Sequence, residues 1–260
     1  MHKGQINVFR LKFTLTLAVA FAALFFGACG VLEGEPFIEP VREADITRQL
    51  NDRAVINLAR YPSGQNAFSH FAILYRIYVS DIHMPATTAD TFSRINPTLQ
   101  ADFSVLSRYI DSETLVGVNM HNVFSARNFR YLALEGANIN YVLRTAIGYT
   151  INFDFSQSQG VPVLRIGAQE HVLVRATGHP GAGSFSPHPD RRFVNSIQLR
   201  NSDYINPNFS ADVVDRTGVA DRRFTYVAMF IVAVGMDPNT FTNVYSTPSL
   251  IHVFQLPGLN

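Results

Sequence analysis

Along much of the chain, apolar and polar residues alternate with the two-residue period of strands. Residues 71–79 are rich in aromatic and β-branched side chains, and Tyr75, Ile77 and Val79 alternate with Arg76, Tyr78 and Ser80, as in a half-buried strand. Residues 149–155 place Ile151, Phe153 and Phe155 on one face and Asn152 and Asp154 on the other. Further strands are expected at 116–123, 129–134, 162–166, 171–176, 193–199 and 250–256. Residues 226–234 are almost continuously apolar, as a central sandwich strand is.

A different period breaks in once. Asn96-Pro97 supplies an N-cap and a proline for a first helical position. Leu99, Phe103, Leu106 and Ile110 then recur at helical spacing, with Gln100, Asp102, Ser104 and Arg108 pointing elsewhere. The pattern predicts an amphipathic helix, with a turn at 88–95, inserted near 88–111 and packed on the sheet. Residues 44–58 read two ways: Ile46, Leu50, Ala54 and Leu58 have helical spacing, while Val55-Ile56-Asn57-Leu58 could begin a strand. Strands do not alternate with helices, which argues against a doubly wound nucleotide fold or a two-lobed binding protein.

The N-terminal segment reads as an address. Lys3, Arg10 and Lys12 precede an uncharged run over 13–28, the layout of a secretory signal, and the run is shorter than the ~20 apolar residues of a spanning helix. Gly27-Ala28-Cys29 resembles the lipobox of bacterial lipoproteins. That resemblance implies diacylglycerol on the Cys29 thiol, cleavage before Cys29 and fatty acylation of the new N-terminus. Phe26 stands where the lipobox usually has leucine, which resembles the looser lipoboxes of spirochaetes. A plain cleaved signal and an uncleaved anchor are the alternatives. The expected organisation is a signal over 1–28, an acylated cysteine and tether over 29–42, and a single domain over 43–260. The expected location is the cell envelope, with the protein lipid-anchored to a bacterial membrane.

Composition narrows the chemistry. Three of the 21 basic residues precede Cys29, which leaves 18 against 20 acidic ones. Such a balance provides no electrostatic drive toward nucleic acid or anionic lipid, so membrane attachment would come from the acyl chains. Both lysines precede Cys29, the only cysteine. The rest of the chain therefore lacks the amine for a Schiff base or a phosphate loop, a thiol nucleophile, disulfides and cysteine metal clusters. Tryptophan is absent, which leaves tyrosines such as Tyr75, Tyr78 or Tyr245 for stacking on a sugar.

The C-terminal third carries the strongest fold pattern. Tyr226, Ala228, Phe230, Val232 and Val234 alternate, a turn follows at Gly235-Met236-Asp237-Pro238-Asn239, and Ser246-Thr247-Pro248 leads into Ile251, Val253 and Gln255. This resembles the F–G hairpin of fibronectin type III-like sandwiches, in which a tyrosine near the start of strand F forms a tyrosine corner. Residues 71–80 are similar to strand C of that fold. The resemblance implies an all-β chain, an elaborated fibronectin III- or immunoglobulin-like antiparallel β-sandwich with an inserted amphipathic helix. The tryptophan usual in an early strand is missing, and the chain is more than twice the usual domain length.

Candidate chemistry is sparse. The loop 178–190 holds several glycines with His179, His188 and Asp190, side chains suited to a ligand. It lacks the Lys-Ser/Thr ending of a phosphate loop, and its histidine spacing matches no standard metal motif. Glycine and proline there also suit an ordinary long hairpin loop. Asp190-Arg191-Arg192-Phe193 and Asp221-Arg222-Arg223-Phe224 read as turn-to-strand junctions. Asp81, His83, Glu170 and His171 complete no constellation, and there is neither His-Glu-x-x-His nor Gly-x-Ser-x-Gly. The expectation is a non-enzymatic structural or interaction module without cofactor or metal, held at the membrane through Cys29, with a protein or glycan partner. A small-ligand or glycan-binding lipoprotein is the alternative, and an anchored hydrolase stands behind it.

Overall fold

The computed structural model describes residues 38–61, 67–83, 89–110, 119–156, 161–175, 193, 213–214 and 224–256. They are mostly β and form two antiparallel sheets packed together. In spatial order the first sheet is β1 (Ile46–Gln49), β2 (Arg53–Asn57), β6 (Thr150–Asp154), β7 (Val163–Ile166), β8 (Gln169–Val174) and β5 (Ala133–Leu134). The second is β11 (Asn243–Tyr245), β10 (Phe224–Met236), β3 (Phe68–Ser80) and β4 (Arg130–Tyr131). There β12 (Ser249–Gln255) also pairs with β10, and β9 (Val213–Val214) joins β3 as a parallel neighbour.

Strands β3 and β10 form the spine. They pair from Ser80 opposite Phe224 to Phe68 opposite Gly235. Phe71, Ile73, Tyr75 and Ile77 of β3 and Val227, Met229, Ile231 and Ala233 of β10 face the first sheet. The intervening residues Ala72, Leu74 and Tyr78, with Tyr226, Ala228, Phe230 and Val232, face a layer of helices. This corrects the half-buried reading of 71–79. A strand covered on both faces needs apolar residues at successive positions, and β10 has them. The polar exception, Arg76, is buried because the helical layer brings it a carboxylate.

That layer contains α1 (Ala89–Ile95), α2 (Pro97–Ile110) and α3 (Met120–Ser125). The expected amphipathic helix is α2, which lays Leu99 and Leu106 on the sheet. Asn96 caps it by accepting the Thr98 N–H at 2.9 Å, while its amide donates to the Val79 carbonyl at 3.2 Å, joining the helix start to the end of β3. The turn expected at 88–95 contains the short helix α1. Part of the strand expected at 116–123 is helical as α3. Met120 and Phe124, four residues apart, are both buried against the same sheet face, and tertiary burial overrides strand propensity there. The ambiguous stretch 44–58 is the β1–β2 hairpin, in which Ala54 and Ile56 are buried between exposed Arg53 and Asn57. Of the strand expected at 193–199, only Phe193 is described. It is fully buried and meets Tyr75 edge-on at 5.0 Å.

Two joints tie the sheets. Residues 130–134 leave β3 and continue onto β8, with the Leu132 N–H donating to the Ile73 carbonyl between. On the other side the Arg48 guanidinium of β1 donates to the carbonyls of Leu250 and Ile251 on β12. Packing already begins at Ile38 and Val41, residues of the expected tether, each 2% exposed. Among the described residues no helix is long and apolar enough to cross a membrane.

Candidate functional site

A cavity of about 590 Å3 lies where the crossover 130–134 passes between the sheets. Its walls come from the start of β3, the end of β10, β11, α3, the crossover itself and the entry to α4 (Ile139–Arg144). Local sequence explains this placement. Gly136, at φ 69°, turns the chain out of β5 in a conformation that suits glycine. Asn138 then caps α4, its side-chain oxygen accepting from the backbone of Asn140 and Tyr141.

Polar side chains reach the cavity from separate elements. His70 on β3 shares a hydrogen bond with the Ser69 hydroxyl at 3.1 Å, and burial, followed by nearby Arg144, lowers its pKa. His70 is therefore neutral at physiological pH. His121 on α3 shares a hydrogen bond with the Tyr131 hydroxyl at 3.1 Å. The His121 ring is near-parallel to those of Tyr131 (24°) and Tyr245 (29°), with centroids 6.1 and 6.4 Å away. Burial, with the field and hydrogen bond of Tyr245 adding to it, pushes the Tyr131 phenol up, so it stays an O–H donor. Asn138, Asn140 and Asn243 contribute amides, and Leu132, Leu134 and Ile139 an aliphatic wall. The lining combines imidazole, phenol and amide groups with an aliphatic wall and is amphipathic, and among the described residues it contains no carboxylate, guanidinium or amine.

A second polar cluster is sealed. Asp102 of α2 accepts from the Arg76 guanidinium and from the Tyr78 hydroxyl at 2.7 Å, with the Arg127 guanidinium 4.0 Å away. Burial, then the neighbouring Asp102 charge, raises the Tyr78 pKa well above its usual value, against the opposing effect of Arg76. All three side chains lie between helix and sheet, so this is a clamp between layers. A third group, Arg53, Asp154, Arg165 and Glu170, forms cross-strand ion pairs on β2, β6, β7 and β8.

The sequence candidates fare unevenly. Cys29, His179, His188 and Asp190 lie outside the described residues. Asp81 and His83 are exposed just after β3, with the His83 ring 5.1 Å from that of Phe224. Glu170 pairs with Arg165, and His171 beside it is half-buried. None of these four lines the cavity. Of the three tyrosines suited to stacking, Tyr75 and Tyr78 are fully buried and Tyr245 lines the cavity. Sequence reasoning missed His70 and His121, which belong to no motif and come together only through β3 and α3. Among the described residues no group of three or more His, Cys, Asp or Glu could hold a metal ion.

No family model, curated protein or solved structure matches this chain. The class that fold and cavity define is a helix-covered β-sandwich with an amphipathic cavity, lined by imidazole, phenol and amide groups, beside its crossover strand.

Proposed function

We propose that the protein is a lipid-anchored module of the bacterial cell envelope that binds a small ligand non-enzymatically in its side cavity. The observation carrying this reading is the cavity, whose about 590 Å3 lies within the ~300–1,000 Å3 of small-molecule sites. Its histidines, tyrosines and asparagines are donors and acceptors that orient a ligand. The lipobox-like Gly27-Ala28-Cys29 supports the anchor, since two or more acyl chains hold a protein stably at a membrane.

The sandwich is read as an elaborated fibronectin III-like one. The adjacency of β3, β10 and β12 supports this, because strands C, F and G neighbour one another in that order. Tyr226 departs from the pattern: its hydroxyl donates to the Ile82 carbonyl at 2.7 Å, 144 residues upstream, where a tyrosine corner reaches back only a few. A second reading, a contact module for a protein partner, draws support from Met236 and Phe241. They are 48% and 76% exposed where β10 ends and in the turn after it.

Two measurements test the main reading. Radiolabelled palmitate should enter the wild type and not Cys29→Ala; equal labelling removes the anchor. In native mass spectrometry, full-length protein incubated with a small-molecule envelope extract should retain an adduct that Asn243→Trp, a bulky ring at the cavity wall, loses. An adduct unchanged in that variant would remove the cavity as the binding site.

A further inference from the structure

Resting on the reading of the cavity as a binding site, we infer that its ligand is an uncharged saccharide of one or a few rings. The argument starts from charge. Among the described residues, the cavity presents imidazole, phenol and amide groups and no carboxylate, guanidinium or amine. Arg144 acts on His70 but is not among the lining side chains, so an ionised ligand would shed hydration without direct contact with an opposite charge, a loss that grows as the surroundings dry out. A wholly apolar ligand fails for the mirror reason. It would strip water from the Asn140 and Asn243 amides and return no hydrogen bonds.

A pyranose ring meets both demands. Its hydroxyls both donate and accept, as do the Asn140 and Asn243 amides and the Tyr131 and Tyr245 hydroxyls. Its C–H faces are apolar and flat enough to lie on aromatic rings. The His121 ring is stacked with those of Tyr131 and Tyr245, within 24° and 29° of parallel, so a sugar face would lie on the outer ring of this stack in a chain without tryptophan. The aliphatic wall gives C–H groups a second surface. Burial lowers the pKa of the His70 imidazole, which favours its neutral form.

The test uses full-length protein in detergent micelles. It is applied to an array of neutral and acidic glycans, then titrated by tyrosine fluorescence and thermal melting with di-N-acetylchitobiose, cellobiose, a uronic-acid disaccharide and adenosine. The expected result is retention of neutral glycans and a rise in Tm with neutral disaccharide by mass action. The acidic disaccharide should bind at least about tenfold more weakly. Tyr245→Ala and Asn243→Trp should each remove neutral binding, while Tyr245→Phe keeps the stacking and only weakens it. Absence of neutral glycan binding, or preference for acidic glycans or adenosine, overturns the saccharide. If adenosine or an extract component then binds wild type and not Asn243→Trp, the cavity reading survives that failure. If Asn243→Trp changes no binding of any kind, both fall.

Discussion

At the residue scale, single polar side chains hold the ends of elements together. His252 on β12 is buried, donates through Nε2 to the Leu50 carbonyl at 2.8 Å and meets the Phe254 ring edge-on. Burial lowers its pKa from 6.5 to about 4, with Arg48 adding to that effect and the Leu50 bond opposing it. The unfolded chain therefore takes up this proton first, and stability falls as pH drops from about 6.5 through about 4. The loss should total on the order of 3 kcal/mol below that window. Urea unfolding at pH 7.5, 5.5 and 4 checks it, and His252→Gln should flatten the profile. Asn96→Ala removes both a helix cap and the bond to Val79 and should cost about 1–2 kcal/mol by chemical denaturation.

At the scale of elements, the helical layer is held by apolar packing and by the Arg76–Asp102–Tyr78 clamp. Removing Asp102 strands a guanidinium between layers, so Asp102→Ala should cost about 3–5 kcal/mol. Replacing both partners, Arg76→Met with Asp102→Leu, should recover much of that loss, and a double-mutant cycle measures the difference. Gly235 marks the shift in the β3–β10 register. A Cβ there would overlap the Ala67 carbonyl oxygen and the Ile38 side chain, so backbone and core would have to move. Gly235→Ala should destabilise by about 1–3 kcal/mol, the range for overpacking, read as a lower denaturation midpoint.

At the scale of the molecule, the two sheets are joined by the crossover 130–134 and by the Arg48 contacts to β12. Neither sheet can expose its inner face without breaking the same core, which contains Ile56 and Phe153 from the first sheet and Tyr75 and Met229 from the second. Far-UV circular dichroism and tyrosine fluorescence should therefore report coincident unfolding transitions. Two separated transitions would mean that the sheets unfold independently.

Local pattern and tertiary placement divide what can be known about this protein. Local runs of apolar, aromatic and β-branched residues place the strands now seen as β3, β6, β7, β8, β10 and β12, although only β6 among them alternates strictly in burial and β3 and β10 are covered on both faces. The Asn96-Pro97 start of α2 was equally legible, since a cap and its helix are contiguous. Where the local signal admitted two periods, long-range packing decided. Residues 44–58 became strands because Ala54 and Ile56 meet the opposite sheet, and 120–125 became helix because Met120 and Phe124 needed one face. Arg76 reads as a solvent-side residue until α2 supplies Asp102 from 26 positions away. The cavity was hidden for the same reason. His70, the pair His121 and Tyr131, and Tyr245 lie far apart along the chain and share no motif. The sequence by itself determined most of the strands and the capped helix, both encoded by neighbours in the chain. Only the tertiary structure decided which polar residues converge, because convergence depends on how β3, α3 and the crossover pack.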